Sequence, residues 1–408
     1  MKPIRLITLL LCLCLLLGCS SSTQAFQSNT TNIKEESDTS SIIPDDTPET
    51  PPPETTEKET QPPQPAFDPQ LILNTMTVEE KVGQILLVQC PDSGAVEYVS
   101  QYQPAGYILF NRDFQKQTKD GIIAAIQSYQ NAAKIPLLIA VDEEGGTVTR
   151  VSAYSAFRSS NFPSPRSLYK TGGMDLVLAA EKEKAQLLSS LGINVNMAPV
   201  CDVTTKASAF MYQRSLGASP EIIGQFAVQA VQIMGQYGVG GVLKHFPGYG
   251  NNADTHVGIA TDKRPLSQLL SSDLVPFEAG IRGGCGAIMV SHTFVQCLDK
   301  NYPATLSPAV HQYMRVELNF NGVIVTDDLA MGAITSQYKT GEAAVLAVLA
   351  GNDLLCTTNY TAQYTAILAA VESGRIPQST LDAAVCRVLQ WKYELGLLSE
   401  NSLSTEIL

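Results

Sequence analysis

PLLIAVD, residues 136–142, sets five consecutive apolar side chains between a proline and a carboxylate. The run is too short for a helix, and its lack of polar alternation describes a strand buried on both faces. Seven other runs have this form: VGQILLV (82–88), GYILF (106–110), NVNMAPV (194–200), GVLKHF (241–246), GAIMVSH (286–292), GVIVTDD (322–328) and DLLCTT (353–358). Amphipathic stretches lie between them, such as Asp175–Leu191 and Ile222–Tyr237, with apolar residues three and four apart. Continuous apolar strands alternating with helices predict parallel strands covered by helices. Eight such units predict a single (β/α)8 barrel. An open doubly wound sheet is the rival, and it more often runs to five or six strands. Helical patterns over roughly 362–373 and 379–396 follow the eighth strand, leaving no room for a second large domain.

Polar residues collect at one end of these runs. Asp142 and Glu144 close the third, Asp202 follows the fourth, and Lys244 and His245 close the fifth. Ser291 and His292 close the sixth, and Asp327 and Asp328 the seventh. Barrel chemistry sits at the carboxyl ends of the strands, so one mouth is expected to gather these groups.

The densest of these segments is KHFPGYGNNADTHVG, Lys244 to Gly258. Its prolines and glycines are turn chemistry, so the segment after His245 is expected to be a loop over the mouth. A histidine on such a turn ordinarily does no more than satisfy local hydrogen bonds. Here, however, Asp254 and His256 are one residue apart, so a carboxylate can reach an imidazole. That pairing fixes the tautomer and suits a general acid–base near neutral pH. Metal binding is the competing reading, because His and Asp are also ligand types. Lys244 opposes it by repelling a cation, and His292 is the one plausible third imidazole. No metal or other cofactor is therefore expected. The glycines form no P-loop and precede no helix start.

Two further segments carry carboxylates to the mouth. VDEEGGTVTR (141–150) offers Asp142 and Arg150, able to accept from and donate to sugar hydroxyls, although a charged strand end with a Gly-Gly turn would look the same. GVIVTDDLAMGA (322–333) ends a buried strand in two carboxylates, which is costly unless they are solvated or used. Asp327 is the expected functional group, with Asp328 supporting it or capping the next helix.

The amino-terminal region has a different character. Lys2 and Arg5 precede an apolar run from Leu6 to Leu17, twelve residues that are too few to span a bilayer comfortably. Residues 1–18 are expected to be a signal peptide. Leu16-Leu17-Gly18-Cys19 resembles a bacterial lipobox, which implies cleavage before Cys19, lipid on its sulfur and a place on the outer face of the cell membrane. Residues 19–66 are expected to be a disordered tether, rich in Ser, Thr and Pro. From residue 20 the tether carries nine Asp and Glu against Lys34 and Lys58, seven of the chain's twelve net negative charges. An acidic chain without a basic cluster argues against nucleic acid as a partner. The six cysteines beyond Cys19 are scattered, with no CxxC pair, and read as core cysteines. The folded body is expected over residues 67–400.

VDEEGGTVTR, NMAPVCDV, QRSLG, KHFPGYGNNADTHVG, DLVPF, PATLS and VTDDLAM follow one another in the order found in glycoside hydrolase family 3. Together they most resemble its β-N-acetylhexosaminidase branch, over roughly Phe67 to Leu397. The KHFPG-x-G motif followed by D-[ST]-H is highly diagnostic. The resemblance implies a retaining exo-β-N-acetylglucosaminidase acting on glycans, with peptidoglycan fragments as the expected source. It implies that Asp327 is the nucleophile, His256 the acid–base and Asp254 its partner. Sugar-binding positions fall on Asp142, Arg150, Arg214, Lys244 and His245, and His292 matches a histidine near the family's site. A carbohydrate is the expected partner of a monomeric chain. Tyr249 stands where the family often has histidine, and Gln213 and Leu216 replace the commoner asparagine and phenylalanine. The alternatives are a β-glucosidase or β-xylosidase, a phosphorylase of the same fold, and a carbohydrate-binding lipoprotein without turnover. Members acting as β-glucosidases commonly draw the acid–base carboxylate from a second domain, which this sequence lacks.

Overall fold

A computed structural model describes residues 67–399 other than Ala253 and Val257. The signal peptide, the lipid attachment at Cys19 and the tether expected from the sequence all lie outside the described residues.

Eight parallel strands follow in order: β1 (Leu86–Gln89), β2 (Gly106–Leu109), β3 (Leu138–Val141), β4 (Val195–Asn196), β5 (Gly240–Phe246), β6 (Ala287–Val290), β7 (Val323–Thr326) and β8 (Leu355–Thr357). From β1 to β7 each strand pairs with the next, and β8 pairs back onto β1 through Leu86 and Leu355. A parallel bridge between Val325 and Leu354 brings β7 to β8, so the sheet curls into a nearly closed barrel, with helices outside. The predicted fold class is the one observed.

Strand residues alternate between two environments, as the period of two requires. Leu138 and Ala140 of β3 point into the barrel with Leu87, Ile108, Val242, Met289 and Val325. Leu137, Ile139 and Val141 point outward and pack beneath the helices. The lower end of the barrel is stoppered by Trp391, the chain's one tryptophan, from the helix Gln378–Glu394. A Cβ on Gly286 would lie 2.5 Å from the Trp391 Nε1, and one on Gly240 would lie 2.9 Å from the same ring. Glycine at these two strand starts is what admits the indole.

Two elements differ from the sequence reading for identifiable reasons. Val82 and Gly83 end a helix, Val78–Gly83, because Thr77 and Glu80 form a capping box that starts a helix there; β1 begins only at Leu86. The helix expected from Asp175 begins at Pro165, capped by Ser164, and is interrupted at Gly172 and Gly173, where Gly173 has φ of 69°. Its second half matches the expected amphipathic stretch.

Candidate active site

Continuing the strand alternation past the last apolar residue identifies what faces the mouth. Beyond Ala140 in β3 the next inward position is Asp142, beyond Val242 in β5 it is Lys244, and beyond Val325 in β7 it is Asp327. The pairing of β5 with β6 shifts register between Leu243 and Phe246, a local irregularity that turns His245 toward the mouth beside Lys244. These residues line a cavity of about 500 Å³ together with Arg150, Arg214, His256 and Asp328. Phe110, Phe210 and Met331 supply apolar wall.

The floor is a chain of paired charges. Lys244 Nζ, almost wholly buried, donates to Asp142 Oδ1 at 2.7 Å and lies 2.7 Å from Glu144 Oε1. Glu144 in turn accepts from Arg214 Nε at 2.9 Å and from an Nη at 2.6 Å. Burial would raise the Glu144 pKa, but Arg214 and Lys244 hold it well below the usual carboxylate range. Burial would equally neutralise Lys244, and Asp142 and Glu144 keep its pKa above that of an ordinary lysine. Arg150 lies 3.8 Å from Asp142 at the cavity edge.

His245 is oriented from behind. Its Nδ1 donates to the buried Asp202 carboxylate at 2.7 Å, which leaves Nε2 to accept from Arg214 at 3.3 Å. Asp202 also accepts the backbone N–H of Tyr249 at 2.7 Å, so one carboxylate fixes both the imidazole and the turn after it.

At the seventh strand, Asp327 accepts the backbone N–H of Asp328 at 2.9 Å. Burial raises its pKa, and the nearby His292 and His245 imidazoles, that N–H and Lys244 together outweigh burial and lower it. A carboxylate at the cavity wall is thus kept ionised. Asp328 has the opposite parity and the opposite balance. Burial raises its pKa despite hydrogen bonds from Thr358 at 2.7 Å and the Ala330 N–H at 2.9 Å. It closes a turn and caps no helix, since Met331 occupies the cap of Gly332–Thr335.

The loop carrying Asp254 and His256 closes over this floor. Asp254 Oδ1 lies 2.6 Å from His256 Nδ1 and accepts the backbone N–H of the same histidine at 2.9 Å. With Nδ1 engaged, Nε2 is the nitrogen left for a ligand. Phe210 packs edge-on to the His256 ring at 5.8 Å between centroids and also lies under Arg214. The loop is tied down on two sides. The buried Tyr249 hydroxyl is hydrogen-bonded to the buried Thr255, and the N–H groups of Gly332 and Ala333 donate to the carbonyls of His256 and Thr255, each at 3.2 Å. The second tie joins the histidine loop to the segment that follows Asp327.

Of the residues singled out by sequence, Asp142, Arg150, Arg214, Lys244, His245, His256 and Asp327 share one cavity. Asp254 stands behind His256. His292 does not line the cavity. It is wholly buried, with Nε2 donating to the Asp328 carbonyl at 2.9 Å and Nδ1 2.8 Å from Thr305 Oγ1. Placed near the site by the resemblance, His292 holds the Asp327–Asp328 turn from behind. Sequence reasoning placed Glu144 and Asp202 at the mouth without a role, and it missed Phe210 and Met331. The Glu143-Glu144 pair carries the same signal as Asp327-Asp328, two carboxylates closing a buried strand. Glu143, of outward parity, accepts the N–H groups of Arg150 and Val151, each at 2.8 Å, and so shapes the loop bearing Arg150.

Residues 77–391 match the family described as the glycosyl hydrolase family 3 N terminal domain. The chain is 31% identical over 341 residues to the β-hexosaminidase LpqI of Mycobacterium tuberculosis, covering 81% of this chain and 86% of that one. It is 37% identical over 235 residues to a β-hexosaminidase of Xanthomonas campestris pv. campestris, covering 56% and 69%. Among solved structures, a glycoside hydrolase family 3 β-N-acetylglucosaminidase from Paenibacillus superposes with a TM-score of 0.73 at 32% identity. That match covers 80% of this chain and 65% of the Paenibacillus chain.

Proposed function

The chain belongs to glycosyl hydrolase family 3 and is a glycoside hydrolase; from that premise we propose that it is a retaining exo-β-N-acetylglucosaminidase. The β-hexosaminidase and β-N-acetylglucosaminidase relatives support the sugar specificity. The substrate proposed is a terminal β-linked N-acetylglucosamine on a glycan, with peptidoglycan fragments as its source. A lipid on Cys19 and the acidic tether would hold the barrel at the outer face of the membrane, beside such material.

One observation carries the mechanism: an ionised Asp327 and an Asp254-backed His256 share one cavity. In the first step an Asp327 oxygen attacks the anomeric carbon. The bond to the leaving oxygen breaks, and the protonated His256 gives its Nε2 proton to that oxygen. The neutral imidazole keeps its Nδ1 proton on Asp254. In the second step Nε2 takes a proton from water, the water oxygen bonds to the anomeric carbon, and the Asp327 ester is released with retained configuration. Asp142, Lys244, Arg214 and His245 provide fixed donors and acceptors for the sugar hydroxyls. They are bonded to one another before a ligand arrives, so little reorganisation opposes binding.

Asp327→Asn and His256→Ala should each lower kcat for an aryl β-N-acetylglucosaminide by roughly 10²–10⁴-fold. Undiminished hydrolysis in either variant would remove that residue from the mechanism. A panel of aryl β-glucosides and β-xylosides tests the sugar. The same assays with added phosphate, read for sugar phosphate, separate hydrolysis from phosphorolysis.

A further inference from the structure

The loop that carries His256 is held in two unequal ways. Its backbone is tied to the segment after Asp327, where the N–H groups of Gly332 and Ala333 donate to the carbonyls of His256 and Thr255. The imidazole itself has less support. His256 is exposed, and its partner Asp254 belongs to the same loop and moves with it. Such an internal pair fixes the tautomer, but it leaves open where the ring stands above the cavity floor.

Among the described residues, the one aromatic ring packed against the imidazole is Phe210, from the turns that follow β4. The two ring centroids are 5.8 Å apart and the planes lie at 62°. Phe210 also lies 6.0 Å from the ring of Tyr249, whose hydroxyl meets Thr255. Arg214 sits over the Phe210 ring, with Cζ 5.4 Å from its centroid. Arg214 does not depend on that contact, because Glu144 holds its guanidinium through two charge-assisted hydrogen bonds. The constraint therefore runs in one direction, from the floor through Arg214 to Phe210 and from Phe210 to the imidazole. A side chain keeps the two loops in step. Asn251 Oδ1 accepts from Thr204 Oγ1 at 3.1 Å and from the N–H groups of Thr205 and Lys206 at 3.2 Å and 3.1 Å. The loop bearing His256 is thus stitched to the segment bearing Phe210.

We infer that Phe210 is a positioning residue for proton transfer, its ring setting the reach of His256 Nε2 toward the leaving oxygen. The inference rests on the reading of His256 as the acid–base. An acid works only within hydrogen-bond reach of the atom it protonates, so a misplaced imidazole fails in proportion to the leaving group's need for a proton. A dinitrophenolate departs without one, whereas a phenolate needs one.

The test compares kcat/KM for the dinitrophenyl and phenyl β-N-acetylglucosaminides, a quantity that reports the step in which the leaving group departs. Phe210→Leu should lower the phenyl value roughly tenfold and leave the dinitrophenyl value within about twofold. Retained dinitrophenyl cleavage also shows that the fold and Asp327 are intact in the variant. Phe210→Tyr keeps the ring and should hold both values within about twofold of the unaltered chain. An equal fall on both substrates would assign Phe210 to binding or folding and overturn the inference. Unchanged phenyl cleavage in Phe210→Leu overturns it as well, as does a selective loss of the same size in Phe210→Tyr. His256→Ala separates this inference from the reading beneath it. A phenyl-selective loss in His256→Ala that Phe210→Leu does not share removes only the role of Phe210. Without such a loss in His256→Ala, the acid–base reading falls and the inference falls with it.

Discussion

The Tyr249 hydroxyl meets Thr255, the residue between Asp254 and His256, where both partners are buried. Tyr249→Phe removes that tie and leaves the Thr255 hydroxyl without its partner. The loop then samples positions in which the imidazole misses the leaving oxygen, so kcat should fall roughly tenfold while KM changes little. Steady-state kinetics on an aryl β-N-acetylglucosaminide checks this, and an equal loss in kcat and gain in KM would contradict it. At Asp327 the sign follows from its neighbours, whose net effect lowers the pKa. The carboxylate stays ionised as pH falls through the ordinary aspartate value, so the acid limb of kcat/KM is expected below about pH 3.9. A profile measured down to pH 3 reads it directly. Glu144 also has a lowered pKa, so its contribution to stability is complete above the ordinary glutamate value and is lost as pH falls through the folded one. Glu144→Gln leaves Arg214 without its carboxylate and should cost about 3 kcal/mol in urea unfolding at pH 7. The Asp254–His256 pair was legible in sequence because only one residue separates its members. The Glu144–Arg214 and His245–Asp202 pairs were not, because 70 and 43 residues separate them and only strand closure joins them.

Each strand serves as a ruler with a period of two. Once the inward set of β3, β5 and β7 is known, Asp142, Lys244 and Asp327 follow as the next inward positions. The opposite set explains why Glu143 holds the N–H groups of Arg150 and Val151 instead. The β5 irregularity lets two consecutive strand residues, Lys244 and His245, both face the mouth. At the other end, the helix Gln378–Glu394 drives Trp391 between the starts of β5 and β6. Trp391→Ala should destabilise the barrel by about 3–5 kcal/mol. Gly286→Ala, which sets a Cβ 2.5 Å from the indole, should cost about 1–3 kcal/mol by overpacking. Denaturant unfolding of the two variants tests both figures, and neither residue lines the catalytic cavity. The apolar runs announced these strands because burial on both faces removes polar positions. Their ends were less legible at Val82 and Pro165, where a capping box and a Ser-Pro start decide the helix locally and apolar content does not register them.

For the molecule as a whole, every lining residue of the catalytic cavity belongs to the described barrel. A chain starting at Phe67 should therefore keep its kcat/KM on a soluble aryl β-N-acetylglucosaminide within about twofold, since a domain with its own core folds alone. In the full chain, Cys19→Ser should shift the protein from the membrane fraction to the supernatant. An unchanged distribution would remove the lipid anchor. What the sequence by itself determined was the eight-strand barrel, the end of it that carries chemistry and the identity of the groups there. Strand burial, strand polarity and the Asp-x-His spacing are all local properties of the chain. What only the tertiary structure decided was which of those groups touch the cavity and which hold the ones that do. His292 moved behind Asp327, Glu144 and Asp202 became the partners that charge and orient Lys244, Arg214 and His245, and Tyr249 became the anchor of the histidine loop. Those assignments depend on distances between strands far apart in sequence, set by closing the sheet on itself, and no local pattern encodes them.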